Sequence, residues 1–467
     1  MKLTRRAVSA GLAATPFVLG RARAKLPKLP AIADADAQFV RPDDARFAQY
    51  ATAYNKRTAQ TAALRVMART ERGVAQTIDW LRSNRLPFAL RSGGHSFEGF
   101  SQSTSVVVDT RLMNAIALDG STLSVGAGTP LGAIYRFVAA HGLDFPGGSC
   151  PTVGVSGHAM GGGFGLIARE RGLACDRLVG IDLVDANAKP VHADATTNAD
   201  LFWACRGGGG GTFGAATRFQ FRVEPIGRIQ VYSASWTLDV KKAAALFRAW
   251  QDWAPDAPDE ITGIFKLSKR RDGRVVLHIA GQSTGSKPRL RRELDALTDV
   301  AAPDAALSIA SMSFLAAVNH FSGGWDYETS YSKAKSDFIA AKLPDAGIDA
   351  LIDGLPPSVV AICDAYGSAT GRVAEDATAF AYRTGTRFCI QYYTSWTAPS
   401  AAERRLADIR GLYAAMRSWS GGSYVNYPDL DLDDWQSAYW RQNLARLKTV
   451  KAAVDPDGVF RHAQSVR

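Results

Sequence analysis

The chain has 467 residues, 46% of them hydrophobic and 21% charged, with 43 glycines and a formal net charge of +11. That length predicts two or three structural modules, and the composition excludes a disordered or fibrous protein. Five cysteines (Cys150, Cys175, Cys205, Cys363 and Cys389) are too few and too widely spaced for a disulfide scaffold or a zinc cluster, so no metal site is expected.

The first 24 residues predict an export signal. Arg5-Arg6 stand behind Thr4, an apolar run extends from Ala7 to Gly20, and Ala22-Arg23-Ala24 has the small-x-small form of a cleavage site. The paired arginines point to the twin-arginine route, which carries already folded proteins to the periplasm or beyond. The apolar run is too short for a spanning helix, and the mature chain is expected to need no membrane. Five of the positive charges lie in this leader, leaving +6, and the remaining basic residues form only short clusters such as Lys269-Arg270-Arg271. Nucleic acid is therefore not an expected partner.

Next come alternating elements. Val74 to Asn84 has helical spacing, while Phe88-Ala89-Leu90-Arg91 and Val106-Val107-Val108-Asp109 are short apolar runs bounded by turn residues, giving a βαβ-type start. A strand from Thr122 to Val125 and an amphipathic helix from Leu131 to His141 precede the most glycine-rich stretch, Pro146 to Gly165. Strands are predicted over Leu178 to Asp185 and Thr217 to Val223, around a second glycine run from Arg206 to Gly211. Beyond about Arg228 glycine thins and alanine-rich helices appear (Val240 to Trp253, Lys287 to Leu297, Ser400 to Ser418), with strands over Arg274 to Gly281 and Arg387 to Tyr393. Trp435 to Val454 has the periodicity of one helix, ended by Asp455-Pro456. Cys363 and Cys389 are placed either to pair across neighbouring strands or to stand as buried thiols.

Two glycine-rich segments carry the chemistry. In Arg91-Ser92-Gly93-Gly94-His95-Ser96, paired glycines at a strand end open conformations closed to other residues and bring backbone N–H groups to an anion such as a pyrophosphate. The histidine is delivered to whatever the loop holds. The second segment runs from Pro146-Gly147-Gly148-Ser149-Cys150 through Val153-Gly154 and Gly157-His158 to Gly161-Gly162-Gly163-Phe164-Gly165. So much glycine around one cysteine is costly in folding entropy, and the cost makes sense if a bulky planar group lies against bare backbone. Neither segment has the dinucleotide-binding fingerprint or a Walker sequence.

Together with Leu201 to Gly211, Tyr424-Val425-Asn426-Tyr427-Pro428-Asp429 and Asp455-Pro456, these segments resemble the berberine bridge enzyme family of FAD-linked oxidases, within the vanillyl-alcohol oxidase superfamily. The resemblance covers nearly the whole mature chain. It implies an α+β fold of two modules: a PCMH-type FAD-binding domain over residues 25–227, a substrate domain over 228–423 whose antiparallel sheet covers the flavin, and a segment over 424–467 that returns to the FAD domain. It implies FAD attached covalently through His95 and Cys150, with Arg91, Ser92, Gly93, Gly94, Ser96, Gly148, Val153, Gly154, Gly157, His158, Gly161, Gly163, Gly165 and Asn426 around it.

For hydride removal from a hydroxyl, the resemblance supplies a tyrosine base, Tyr427 first and Tyr424 second, on opposite faces of an expected strand. Asp364 is placed to accept that tyrosine's hydrogen bond, because a phenol of pKa about 10 is a poor base at neutral pH. Gln391 and Tyr382 are the candidate substrate contacts. Tyr382, where relatives commonly have His, and Arg441, where Gly is common, depart from the family pattern. Val153 stands where a small β-branched residue tends to let oxygen in.

The activity implied is oxidation of a hydroxyl, with a sugar or oligosaccharide aldose as the small-molecule substrate and O2 reduced to H2O2. Gly324-Trp325-Asp326-Tyr327 and Trp396 are candidate surfaces for stacking on sugar rings. Three alternatives remain open at this point: oxidation of a secondary metabolite (alcohol, amine or oxidative cyclisation), a dehydrogenase using another acceptor, and a non-catalytic flavin carrier.

Overall fold

A computed structural model describes residues 26–322 and 329–467. The export signal and Gly324 to Tyr327 lie outside the described residues.

The fold is α+β, with three sheets in chain order. The first has four strands in the order Ala37–Val40, Leu64–Ala68, Val106–Asp109, Phe88–Arg91. Val106–Asp109 is buried throughout and runs parallel to both its neighbours, which is why its sequence is an unbroken apolar run rather than an alternating one. Helix Glu71–Ser83 makes the crossover, and Thr70 caps it by accepting the Gly73 N–H at 3.1 Å. The strand Phe88–Arg91 then ends and releases the loop that carries His95.

The second sheet is antiparallel, in the order Ile116–Asp119, Thr122–Gly126, Ala215–Arg222, Leu178–Val184, Pro190–Asp194. Helix Leu131–Ala140 and the Cys150 segment pack beside it. The third sheet has seven antiparallel strands, Ser308–Met312, Ile229–Leu238, Val275–Ser283, Ile261–Lys269, Val360–Ala365, Phe388–Trp396 and Tyr331–Ile339 in that order.

The register of this sheet sorts its side chains. Phe265 pairs with Cys363 and Cys363 with Ile390, and this face packs on Phe247 and Trp250 of helix Val240–Trp253. Ile264 pairs with Asp364, Lys266 with Ile362, and Ile362 with Gln391, so these residues share the opposite face. Cys389 pairs with Asp364 and therefore also faces away from Cys363. The expected option of a Cys363–Cys389 disulfide is ruled out by this one-residue offset, and both thiols are free and buried.

The chain end returns to the first two sheets. Lys451 donates to the carbonyls of Thr212 and Phe460, the Trp440 indole donates to the Gly207 carbonyl, and Phe460 joins the core of the first sheet. One helix was expected from Trp435 to Val454, but the structure has two, Trp435–Trp440 and Leu444–Val454. Between them Arg441 takes φ +45°, and the Asn443 amide donates to the carbonyls of Glu375 and Thr378. Tertiary hydrogen bonds thus replace helical ones at the break.

Candidate active site

A cavity of about 840 Å³ lies between the glycine-rich segments and the free face of the seven-stranded sheet. Its volume is in the range of small-molecule and cofactor sites.

One wall is mostly backbone. Gly94 takes φ +76° and its Cα lies over the Arg91 guanidinium, where an added Cβ would come within 2.4 Å. A Cβ on Gly93 would meet the Gly154 nitrogen at 2.2 Å, so the His95 loop and the Cys150 segment touch backbone to backbone. The Ser92 hydroxyl donates to the Ala127 carbonyl at 2.7 Å, and Ser96 Oγ accepts the Phe100 N–H at 3.0 Å. Arg91 is buried, donates to the Thr52 carbonyl at 2.6 Å and lies near Asp109.

His95 and Cys150 both line this cavity. The His95 ring stacks on Tyr54 at 4.0 Å, and its Nε2 lies 2.9 Å from Thr152 Oγ1. Burial first, and then the charge of Arg91, push its pKa down to about 3. The imidazole is therefore neutral at neutral pH, the form that acts as a nucleophile. Cys150 is reached by solvent within the cavity yet enclosed by protein beyond it. That enclosure pushes its thiol up, against smaller opposing effects from Ser149 and Lys266.

His158 braces the cysteine loop. Its Nε2 accepts the Gly148 N–H at 3.1 Å, its carbonyl accepts from the Asn426 amide at 3.0 Å, and burial lowers its pKa to about 4. Gly161, Gly163 and Gly165 are required by close approach: an added Cβ would meet Asn426 Oδ1 at 2.0 Å, His158 Nε2 at 2.8 Å and the Gly147 carbonyl oxygen at 1.9 Å respectively. Gly157 differs, with open space where its Cβ would be. Val153 lines the cavity near these residues.

The other wall consists of side chains. Asp364, Gln391, Lys266, Ile362 and Tyr393 reach it from the sheet, and Tyr427 from the chain end. Burial raises the Asp364 carboxyl to about 7, partly opposed by Lys266. Burial, followed by the Asp364 charge, holds the Tyr427 phenol well above its usual value.

Several expectations are corrected here. Tyr424 to Tyr427 is a turn rather than a strand: the Tyr427 N–H donates to the Tyr424 carbonyl at 2.9 Å and the two rings meet edge to face at 5.0 Å. Asn426 favours that turn, which brings both tyrosines to the cavity side. No hydrogen bond joins Tyr427 to Asp364, and the Tyr427 ring packs edge-on against Tyr424 and Phe97. Tyr424 Oη accepts the N–H groups of Gly163 (2.9 Å) and Phe164 (3.3 Å) and the Asn426 amide, a bracing role for the glycine turn.

Tyr382 does not reach the cavity. It stacks on Phe338 at 3.8 Å and donates to the Ala438 carbonyl. Arg441 lies over its ring at 5.6 Å, so the two departures from the family pattern form one packing pair behind the site. Trp396 is likewise buried, against Tyr331, and offers no face to a sugar.

Other wall residues went unassigned. Gly208 to Gly211 and Thr212 line the cavity, with positive φ at Gly209 and Gly211, and their signal was the glycine run itself. Tyr54, Phe97, Lys266 and the terminal Arg461, His462 and Gln464 carry no local pattern that marks them.

The residues fit FAD. Glycines 157 and 211 present almost bare backbone to the space, and the buried hydroxyls of Ser101 and Thr212 on the wall have no protein partner among the described residues. Among those residues no group of three or more His, Cys, Asp or Glu is arranged to hold a metal, and no helix is long and apolar enough to cross a membrane.

Fold and site thus define a flavin-binding oxidoreductase, and comparison with known proteins agrees. Residues 62–194 match the family described as FAD binding domain, and residues 423–467 the family described as Berberine and berberine like. The FAD-linked oxidoreductase YgaK of Bacillus subtilis is 32% identical, over 86% of this chain and 90% of that protein. The solved structure of BBE-like 1 from Physcomitrella patens superposes with a TM-score of 0.87 at 28% identity, covering 93% of this chain and 97% of that one. A chitooligosaccharide oxidase structure gives 0.85 at 25% identity, covering 93% and 98%. The chain belongs to the berberine bridge enzyme-like FAD-linked oxidoreductases.

Proposed function

We propose that this enzyme oxidises a hydroxyl group of a sugar or oligosaccharide, with FAD bonded to both His95 and Cys150 and O2 as the final acceptor. One observation carries the reading: a single cavity brings together His95, Cys150 and a buried carboxyl of pKa about 7, Asp364, beside Tyr427 and Gln391. FAD, when bound, supplies the hydride acceptor and passes both electrons to O2, giving H2O2.

The chain's own residues handle the proton and the placement. Alcohol oxidation releases a hydride from carbon and a proton from oxygen. Asp364 is poised to take that proton because its pKa lies near the working pH. Tyr427, whose phenol stays protonated, orients the substrate oxygen or relays its proton, and Gln391 offers an amide to a neighbouring hydroxyl. The similarity to a chitooligosaccharide oxidase supports a carbohydrate substrate. Val153 on the wall supports access of oxygen to the same space.

The leader residues Arg5-Arg6 and the apolar run behind them support export by the twin-arginine route.

The test is anaerobic mixing of the yellow enzyme with a panel of mono- and oligosaccharides, followed by admission of air. Bleaching by an aldose, then peroxide formation, is expected. Bleaching only by aromatic alcohols or amines would overturn the carbohydrate reading.

A further inference from the structure

Lys266 lies on the cavity wall formed by the seven-stranded sheet, with no ion-pair partner of its own among the described residues. Its strand, Ile261–Lys269, places it in one row with Ile362 and Gln391 across the sheet. Asp364 lies on the diagonal, a relation that puts Cβ atoms roughly 7–8 Å apart in antiparallel sheets. Lys266, Asp364 and Cys150 all line the same cavity, and the lysine's charge is felt by both of the others.

Among the described residues Lys266 makes no ion pair or hydrogen bond. Its cross-strand partner is His278, which is bonded to Ser235 Oγ at 2.8 Å and has His320 near it, so the ionisable groups beside Lys266 are this imidazole and, on the diagonal, the Asp364 carboxyl. Asp364 is the one carboxylate among the described residues lining the cavity. A lysine on the surface elsewhere is solvated on every side. This one is exposed to the cavity that Phe97, Tyr393 and Tyr427 also line, where an opposite charge would be screened less than in bulk water.

Resting on the hydroxyl-oxidation reading above, the geometry points to Lys266 as the residue that selects an anionic substrate, a sugar carrying a carboxylate, by pairing with that carboxylate while the reacting hydroxyl lies at Asp364 and Gln391. The aromatic side chains around the row suit the apolar face of a sugar ring. An ammonium–carboxylate contact of this kind discriminates by roughly tenfold or more over a neutral group at the same position.

The test uses the flavin-loaded enzyme and its Lys266→Gln and Lys266→Glu variants, with glucose and glucuronate as probes. These share one ring and differ by a hydroxymethyl against a carboxylate. Binding is followed by perturbation of the flavin absorbance, and turnover by anaerobic bleaching.

The expected result is that the unmodified enzyme binds glucuronate roughly tenfold tighter than glucose, that Lys266→Gln brings the ratio close to one, and that Lys266→Glu inverts it. Added salt should weaken only the glucuronate term. Equal binding of the two probes by the unmodified enzyme, including none by either, would overturn the inference, as would a preference that survives in Lys266→Gln. Should glucuronate perturb the flavin in a Lys266-dependent way while neither sugar reduces it, the anion site stands and the oxidation reading falls.

Discussion

The two walls of the cavity are built by opposite means. The wall carrying His95 and Cys150 is backbone brought into contact with backbone, possible only because Gly93 and Gly154 lack side chains. The wall carrying Asp364, Gln391 and Lys266 is a row of side chains, held by the register of a seven-stranded sheet. In the proposed reading one wall holds a large rigid group and the other chooses and deprotonates a small one. Damage to the first should cost cofactor, and damage to the second should cost turnover or selectivity.

The largest effect expected is on the side-chain wall. Asp364→Asn should lower kcat by roughly 10²–10⁴, the usual worth of a positioned base, with the yellow flavin retained. Steady-state rates set against flavin absorbance check this, and loss of flavin would blur the division between the walls.

Next is the joint between them. Lys333 is buried and bonded to Glu98 at 2.5 Å and Asp429 at 2.6 Å, so one ammonium ties the loop after His95 to the turn after Tyr427. Burial alone would lower its pKa, but the two carboxylates outweigh that and the net shift is upward. Lys333→Met removes one ammonium from each carboxylate while Arg57 still holds Glu98 and Lys335 still holds Asp429, and it should cost about 1.5–3 kcal/mol in denaturant unfolding.

Asp364 also gives a signature in pH. Its folded pKa is raised to about 7 from an ordinary 3.8, so the folded state favours the protonated form. Stability is therefore full at acidic pH and declines as pH rises from about 4 through about 7, by up to about 4 kcal/mol. Turnover should move the other way, rising with pH through about 7 as the base deprotonates. Asp364→Asn should be more stable than the unmodified protein at pH 8 and no more stable at pH 4, which thermal melts at the two pH values would show.

Two smaller effects sharpen the contrast. Gly157→Val adds bulk where no protein atom is near, so the apo protein should melt within about 1 kcal/mol of its parent while flavin incorporation falls. Tyr382→Phe should cost about 1 kcal/mol for the lost hydrogen bond to Ala438 and leave substrate preference unaltered.

The same contrast explains what could be read from the sequence. The glycine wall was legible because its requirement is local: paired glycines, then a histidine or a cysteine, within one short segment. The α+β order and most strands were legible from period and turn residues, as with Val106–Asp109 and helix Val240–Trp253. The side-chain wall was only partly legible, since Asp364 rested on family resemblance and Gln391 on its place in a strand with Tyr392 and Tyr393. Lys266 was missed altogether, because nothing in Phe265-Lys266-Leu267 says which face of a sheet meets a cavity. Tyr382 and Trp396 were misplaced for the same reason: an aromatic that packs and one that binds look alike in sequence. The single helix expected from Trp435 to Val454 failed at Arg441, where the break is imposed by distant carbonyls and by the ring of Tyr382.

The central claim, that the glycine wall holds FAD through both His95 and Cys150, is tested most directly by acid-denaturing the purified enzyme and recording polypeptide mass and flavin absorbance, alongside His95→Ala, Cys150→Ala and the double variant. Flavin that stays on the unmodified chain and on each single variant, and is lost only from the double, is the result expected. Flavin released from the unmodified polypeptide would contradict the claim.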